Sequence, residues 1–160
     1  MKQVFANCSE VLLLEQDETV WGIGGSESDT QGTGIRAWLR IIEKPEGCRD
    51  ILKICHGRNT RIILTRAGHL YLNGEAKEVA DFIDNHDCSA FNQGFEQLDL
   101  STIFSNLIQP GDRVIDLAIP RAGALDDDEK STKKNSSLVV VTAFGHIYAK
   151  GECILETFDQ

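Results

Sequence analysis

An all-β fold assembled from three repeated antiparallel units is the class this sequence predicts, and three observations carry the prediction. The segments LLLEQDETVWGIG (12–24), IILTRAGHLYLNG (62–74) and VVVTAFGHIYAKG (139–151) align without a gap. Each opens on three aliphatic residues, crosses a polar or turn-forming stretch, and returns through an aliphatic–aromatic pair to a glycine. Each is also preceded by a further short, mostly apolar run. Self-similarity of this kind decides architecture before any single residue does.

The elements follow in chain order. Leu12-Leu13-Leu14, Ile62-Ile63-Leu64 and Val139-Val140-Val141 suit strands buried on both faces. Gly68 and Gly145 stand where a tight hairpin turn wants a positive φ, and Glu18 takes that place in the first copy. The pairs Val20-Trp21, Leu70-Tyr71 and Ile147-Tyr148 start the return strands, which close on Gly24, Gly74 and Gly151. Their aromatics are bulky enough to wedge against a neighbouring sheet. The preceding strands are Val4–Ala6, Ile51–Cys55 and Val114–Ile119. One unit is therefore a strand, a short link and a hairpin, and the units run over about 2–34, 35–75 and 99–151 of a single domain spanning 1–160. Sheets this small expose edges and need neighbours, which radial stacking into a propeller supplies.

The hairpins begin at 12, 62 and 139, so the second interval is longer than the first. Its extra length holds two irregular pieces. Within Ala76–Cys88, Val79, Phe82 and Ile83 make a helical stripe, which predicts a short helical insertion. The piece at 121–137, RAGALDDDEKSTKKNSS, has little to bury and predicts a mobile acidic surface loop. Asp126, Asp127 and Asp128 at its centre read either as solvated charge or as a partner contact.

Composition narrows the functional classes. The 160 residues are 41% hydrophobic and 26% charged, which fits a folded domain rather than a disordered chain. A net charge of −9 repels phosphate backbones, so direct nucleic-acid binding is not expected. No apolar run is long enough to span a bilayer, and Met1–Asn7 is too short and polar to open a secretory signal. Five scattered cysteines without a Cys-x-x-Cys pair fit free thiols in a reducing compartment, so an intracellular, cytoplasmic location is expected.

A resemblance sharpens the architecture. Trp21 runs into Gly22-Ile23-Gly24-Gly25-Ser26 and then Gln31-Gly32-Thr33-Gly34, while Ile54-Cys55-His56-Gly57 leads to Ile63-Leu64-Thr65. These stretches resemble the repeats of the regulator-of-chromosome-condensation family of β-propellers, across about 2–75 and again across 113–151. The chain departs from the pattern where the family places a histidine three residues after its glycine: Thr60 stands there, and Glu10 at the matching place in the first unit. The resemblance implies a propeller usually of seven blades, of which this length covers about three. A partial propeller, either a fragment or a split one, is the expectation. Three blades leave sheet edges for another chain, or more of this one, to cover.

Gly22-x-Gly24-Gly25 lacks the crossover helix of a dinucleotide site and reads as propeller-loop glycines. Cys55 and His56 are strand neighbours that point to opposite faces, so they form no dyad. His86-x-Cys88 supplies two ligands where structural zinc wants four. No catalytic set, cofactor or metal site is therefore predicted. Candidate partner contacts are His69 and His146, which share one place after the turn, and Trp38 flanked by Arg36 and Arg40. The histidines read equally well as ordinary residues of an exposed turn. The function expected is a protein-binding scaffold or adaptor propeller segment. The alternative, implied by the family, is an exchange-factor-like regulator of a small GTPase, although no stretch matches the family's exchange loop.

Overall fold

The structure is a computed structural model and describes residues 2–6, 10–24, 39–57, 60–74, 90, 94–104, 109–119 and 137–151. The three units are three separate antiparallel sheets. The first contains β1 (Gln3–Ala6), β2 (Glu10–Leu14), β3 (Val20–Gly24) and β4 (Leu39–Ile41), in that order. The second contains β5 (Ile51–His56), β6 (Thr60–Thr65), β7 (Leu70–Gly74) and β8 (Glu96–Leu98). The third contains β9 (Val114–Ala118), β10 (Ser137–Thr142) and β11 (Ile147–Gly151).

The hairpins fall in the expected register, and the outer strands extend two of the sheets. β4 pairs with β3 through Trp21 and Ile41, so the first sheet runs past residue 34. β8 joins β7 in the same way. Among the described residues the one helix is the single turn α1 (Leu100–Ile103). The helical stripe expected at 76–88 lies outside the described residues. So does the acidic loop, except that Ser137 belongs to β10 rather than to the loop.

The turns obey the backbone requirement read from sequence. Gly68 has φ 90° and Gly145 has φ 84°, and Glu18 adopts φ 68° at the equivalent place. A left-handed glutamate is uncommon. Here the Ile51 amide donates to its Oε1 at 2.8 Å, and Lys44 stands 3.7 Å from Oε2. These contacts tie the first sheet's turn to the start of the second sheet.

The two glycine turns predict unequal sensitivity. A methyl group on Gly68 would stand 2.9 Å from Arg113 Cβ and 3.2 Å from the Val114 amide, whereas one on Gly145 meets nothing within 4 Å. Gly145→Ala is expected to cost about 1 kcal/mol for the left-handed backbone, and Gly68→Ala clearly more. Urea unfolding of the two variants checks this, and equal midpoints would contradict it.

The core consists of two joints between sheets. In the first, Leu12, Leu14, Val20 and Ile42 meet Ile51, Ile54, Ile63 and Tyr71. In the second, Cys55, Ile62, Leu64, Leu70 and Leu72 meet Val114, Leu117, Leu138 and Val140. Strand alternation explains the division: Ile63 faces the first sheet, and its neighbours Ile62 and Leu64 face the third. Of the three aliphatic runs at 12–14, 62–64 and 139–141, the one in β6 is therefore buried on both faces. In β2 and β10 the intervening residues Leu13, Val139 and Val141 remain half-buried, which corrects the expectation for those two runs.

The first strands lie side by side, β1 against β5 and β5 against β9. Polar side chains bridge them. Gln3 Nε2 donates to the Leu52 carbonyl at 2.6 Å, and Lys53 Nζ donates to Asp116 Oδ1 at 2.6 Å and to the Leu117 carbonyl at 2.9 Å. The result is three blades of a partial β-propeller, each sheet facing the next with its first strand nearest its neighbour's.

Candidate functional site

Three places in this fold carry chemistry: a charged cluster inside the first joint, a rim of turns, and the two outer faces. The cluster is built around Glu10, which is in phase with Leu12 and Leu14 and so points into the joint. Arg61 of β6 grips its carboxylate with one edge of the guanidinium, Nε to Oε2 at 2.8 Å and Nη2 to Oε1 at 2.9 Å. His56 Nε2 stands 2.7 Å from Oε2, and its Nδ1 meets the Gly57 carbonyl. Arg61 is held in turn by Asn73, whose Oδ1 accepts from Nη1 at 3.3 Å. Gly22 makes the room, because a methyl group there would stand 2.8 Å from Glu10 Oε1.

This arrangement corrects the reading of Gly22 as a loop glycine: it sits inside β3 and hollows a slot for the carboxylate. The cluster was not anticipated from sequence. A usable signal existed, since Glu10 interrupts the apolar phase of its strand. A buried, bidentate ion pair linking two blades is a structural contact with its acceptors already engaged.

Cys55 and His56 do face opposite joints. Cys55 Sγ lies 3.7 Å from the Leu117 carbonyl, on the side away from Glu10. Burial pushes its thiol up to about 11, so it carries negligible thiolate at neutral pH.

The rim is formed by the hairpin turns. His69 and His146 occupy equivalent, exposed places, and the amides of both are bonded by the threonine four residues earlier, Thr65 and Thr142. The third turn carries an additional fastening. Asp112 Oδ1 accepts the amides of Arg113 at 2.9 Å and Phe144 at 3.0 Å, and its Oδ2 lies 3.4 Å from His146 Nδ1. Beside it Phe144 is 57% exposed. The turn is pinned by Asp112 and presents an aromatic ring to solvent.

Burial works to raise the Asp112 carboxyl, but bonds from Thr142, from the Phe144 and Arg113 amides, and from His146 outweigh it and hold it below its usual value. A carboxyl lowered by folding stabilises the fold above its unfolded pKa of about 3.9, and that contribution is lost as pH falls through the lower folded value. Asp112→Ala is therefore expected to speed exchange of the Phe144 amide at neutral pH and to have little further effect once the wild-type carboxyl is protonated. Amide hydrogen exchange across that range checks it; an unchanged Phe144 rate at neutral pH would contradict it.

Of the other candidates, Arg36, Trp38, Asp126, Asp127 and Asp128 lie outside the described residues. Arg40 is placed by its backbone in β4, opposite Gly22. His86 and Cys88 also lie outside the described residues. Among the described residues no group of three or more His, Cys, Asp or Glu is close enough to hold a metal ion. Nor is any helix among them long and apolar enough to cross a membrane.

The outer faces are apolar. On the first sheet Val4, Leu13, Trp21 and Ile41 pair in one cross-strand row directed away from the first joint. On the third sheet Val139 pairs with Ala149 and Val141 with Ile147, all directed away from the second joint. Val4, Ile41 and Ile147 are each more than half exposed.

Comparison with solved structures places this geometry among propellers. The crystal structure of human WBSCR16 superposes with a TM-score of 0.59 at 19% identity, over 92% of this chain and 33% of that one. Prp20p from Saccharomyces cerevisiae superposes with a TM-score of 0.55 at 15% identity, over 92% of this chain and 30% of that one. Both are β-propellers of the regulator-of-chromosome-condensation type. The chain spans about a third of the length of these structures. No family model matches it, and no curated protein does. The likeness defines the fold, a partial β-propeller.

Proposed function

We propose that this chain is a protein-binding scaffold or adaptor segment of a propeller, working within a larger protein or assembly. The observation that carries the reading is the pair of uncovered apolar faces, with Ile147 70% exposed on one and Val4 and Ile41 exposed on the other. Isolated apolar residues on a surface need no explanation, but cross-strand rows at both ends of a blade stack point to partners. The pinned, aromatic third turn adds a second contact surface. The described cysteines, Cys48 and Cys55, are buried free thiols, which supports a reducing, intracellular setting. The ionisable cluster at Glu10 is committed to holding two blades together, which favours binding over chemistry of its own. Affinity capture with the purified chain tests the reading. Stoichiometric partners retained by the wild type and lost with Phe144→Ala or Ile147→Asp are expected. Capture of the same partners by all three would overturn it.

A second reading is regulation of a small GTPase. It has the family resemblance behind it, together with the reported binding of Prp20p to Gsp1p and histones. Release of labelled guanine nucleotide across a panel of small GTPases tests it, with no acceleration expected if the chain is a scaffold alone.

A further inference from the structure

The three sheets repeat not only their strands but also the two sides of each joint. On the forward side stand positions 12, 14 and 20 of the first sheet and their equivalents 62, 64 and 70 of the second. In the third sheet the same positions are Val139, Val141 and Ile147. Forward-facing Val20 is 3% exposed and Leu70 is 0% exposed, but Ile147 is 70% exposed. One repeat position is thus sealed twice and open once.

The opposite side behaves in the same way. Ile54, Ile63 and Tyr71 form the receiving half of the first joint. Leu117, Val140 and Tyr148 occupy the corresponding side of the second. Their equivalents on the first sheet are Val4, Leu13 and Trp21, which receive no sheet among the described residues. The turns repeat the pattern. Glu18 contacts the Ile51 amide of the next sheet and Gly68 packs on Arg113 and Val114, but nothing stands within 4 Å of a methyl group built on Gly145.

Among the described residues, the two halves of one joint therefore stand open on the outer faces of the first and third sheets. We infer that a second copy of this chain docks head to tail, its Val4–Leu13–Trp21 row seated on the Val139–Val141–Ile147 row of the first. The inference rests on the scaffold reading and names one partner for it. The two apolar rows continue the existing joints: the forward row offers aliphatic residues, as Leu12, Leu14 and Val20 do, and the receiving row offers aliphatic residues with an aromatic, as Ile54, Ile63 and Tyr71 do. The contact is heterologous, so each copy uses a different face and two copies can close on each other or extend further. Burying an open forward face is the same transfer of aliphatic surface from water that stabilises the two internal joints.

Sedimentation equilibrium of the full chain tests the inference. Wild type is expected to associate with rising concentration. Leu13→Asp and Ile147→Asp should each weaken self-association by on the order of tenfold or more, because each destroys one half of the joint. An equimolar mixture of the two variants should recover a 1:1 heterodimer through the one joint that remains intact. Circular dichroism verifies folding, and Val4→Asp and Val141→Lys repeat the experiment should either first variant be unfolded. A wild type that stays monomeric at every concentration overturns the inference, as does a dimer unaffected by Ile147→Asp or a mixture that does not associate. A monomeric chain that still captures other proteins through Ile147 would remove the second copy while leaving the scaffold reading intact.

Discussion

Replacing Glu10 by alanine is expected to destabilise the chain by about 3 kcal/mol, at the lower end of the cost of breaking a buried ion pair. Glu10 is 3% exposed, and its carboxylate takes two bonds from Arg61 as well as facing His56. Its removal leaves the donors of the second sheet aimed at an apolar joint. Arg61 is partly open to solvent, so water recovers part of the loss. Urea unfolding should show a lower midpoint with an unchanged slope. In a double-mutant cycle with Arg61→Ala, the two losses should fall well short of adding, because each single change already breaks the same contact. Additive losses would show that the pair contributes nothing beyond its separate packing.

Leu64→Ala is expected to cost about 2–5 kcal/mol, the range for removing a large aliphatic side chain from a closed core. Leu64 is 0% exposed and faces the second joint from an inner strand of the second sheet, which packs against a sheet on each side. Neighbours on both sheets restrict collapse into the space left behind. Ile147→Ala provides the contrast, since its side chain faces water and truncation should change the stability of the dilute monomer little. Equal losses at the two sites, measured by denaturant unfolding below the association range, would mean that the third sheet's forward face is covered in solution.

The sequence made the hairpins legible because their determinants are local. A strand alternates every two residues, and a tight turn demands a left-handed residue, so Gly68, Gly145 and even Glu18 could be placed from their neighbours. The separation of Cys55 from His56 onto opposite faces followed from the same alternation. The candidate contacts were less legible. His69 and His146 do share one rim position, but Asp112, which fastens the third turn, lies far from it in sequence. The partner of His56, Glu10, belongs to another sheet, and no local pattern links the two.

Taken by itself, the sequence determined the all-β class, three repeated units and the backbone of their turns, since each depends on residue spacing within a dozen positions. Only the tertiary structure decided which strands gained β4 and β8 as outer neighbours, that Gly22 makes room for the Glu10 carboxylate, and which aliphatic residues are sealed. Leu70 and Ile147 make the difference concrete. They hold the same place in the same repeat, yet one is covered by the next sheet and the other is not. Burial is a property of what stands opposite a side chain, and no local pattern contains it.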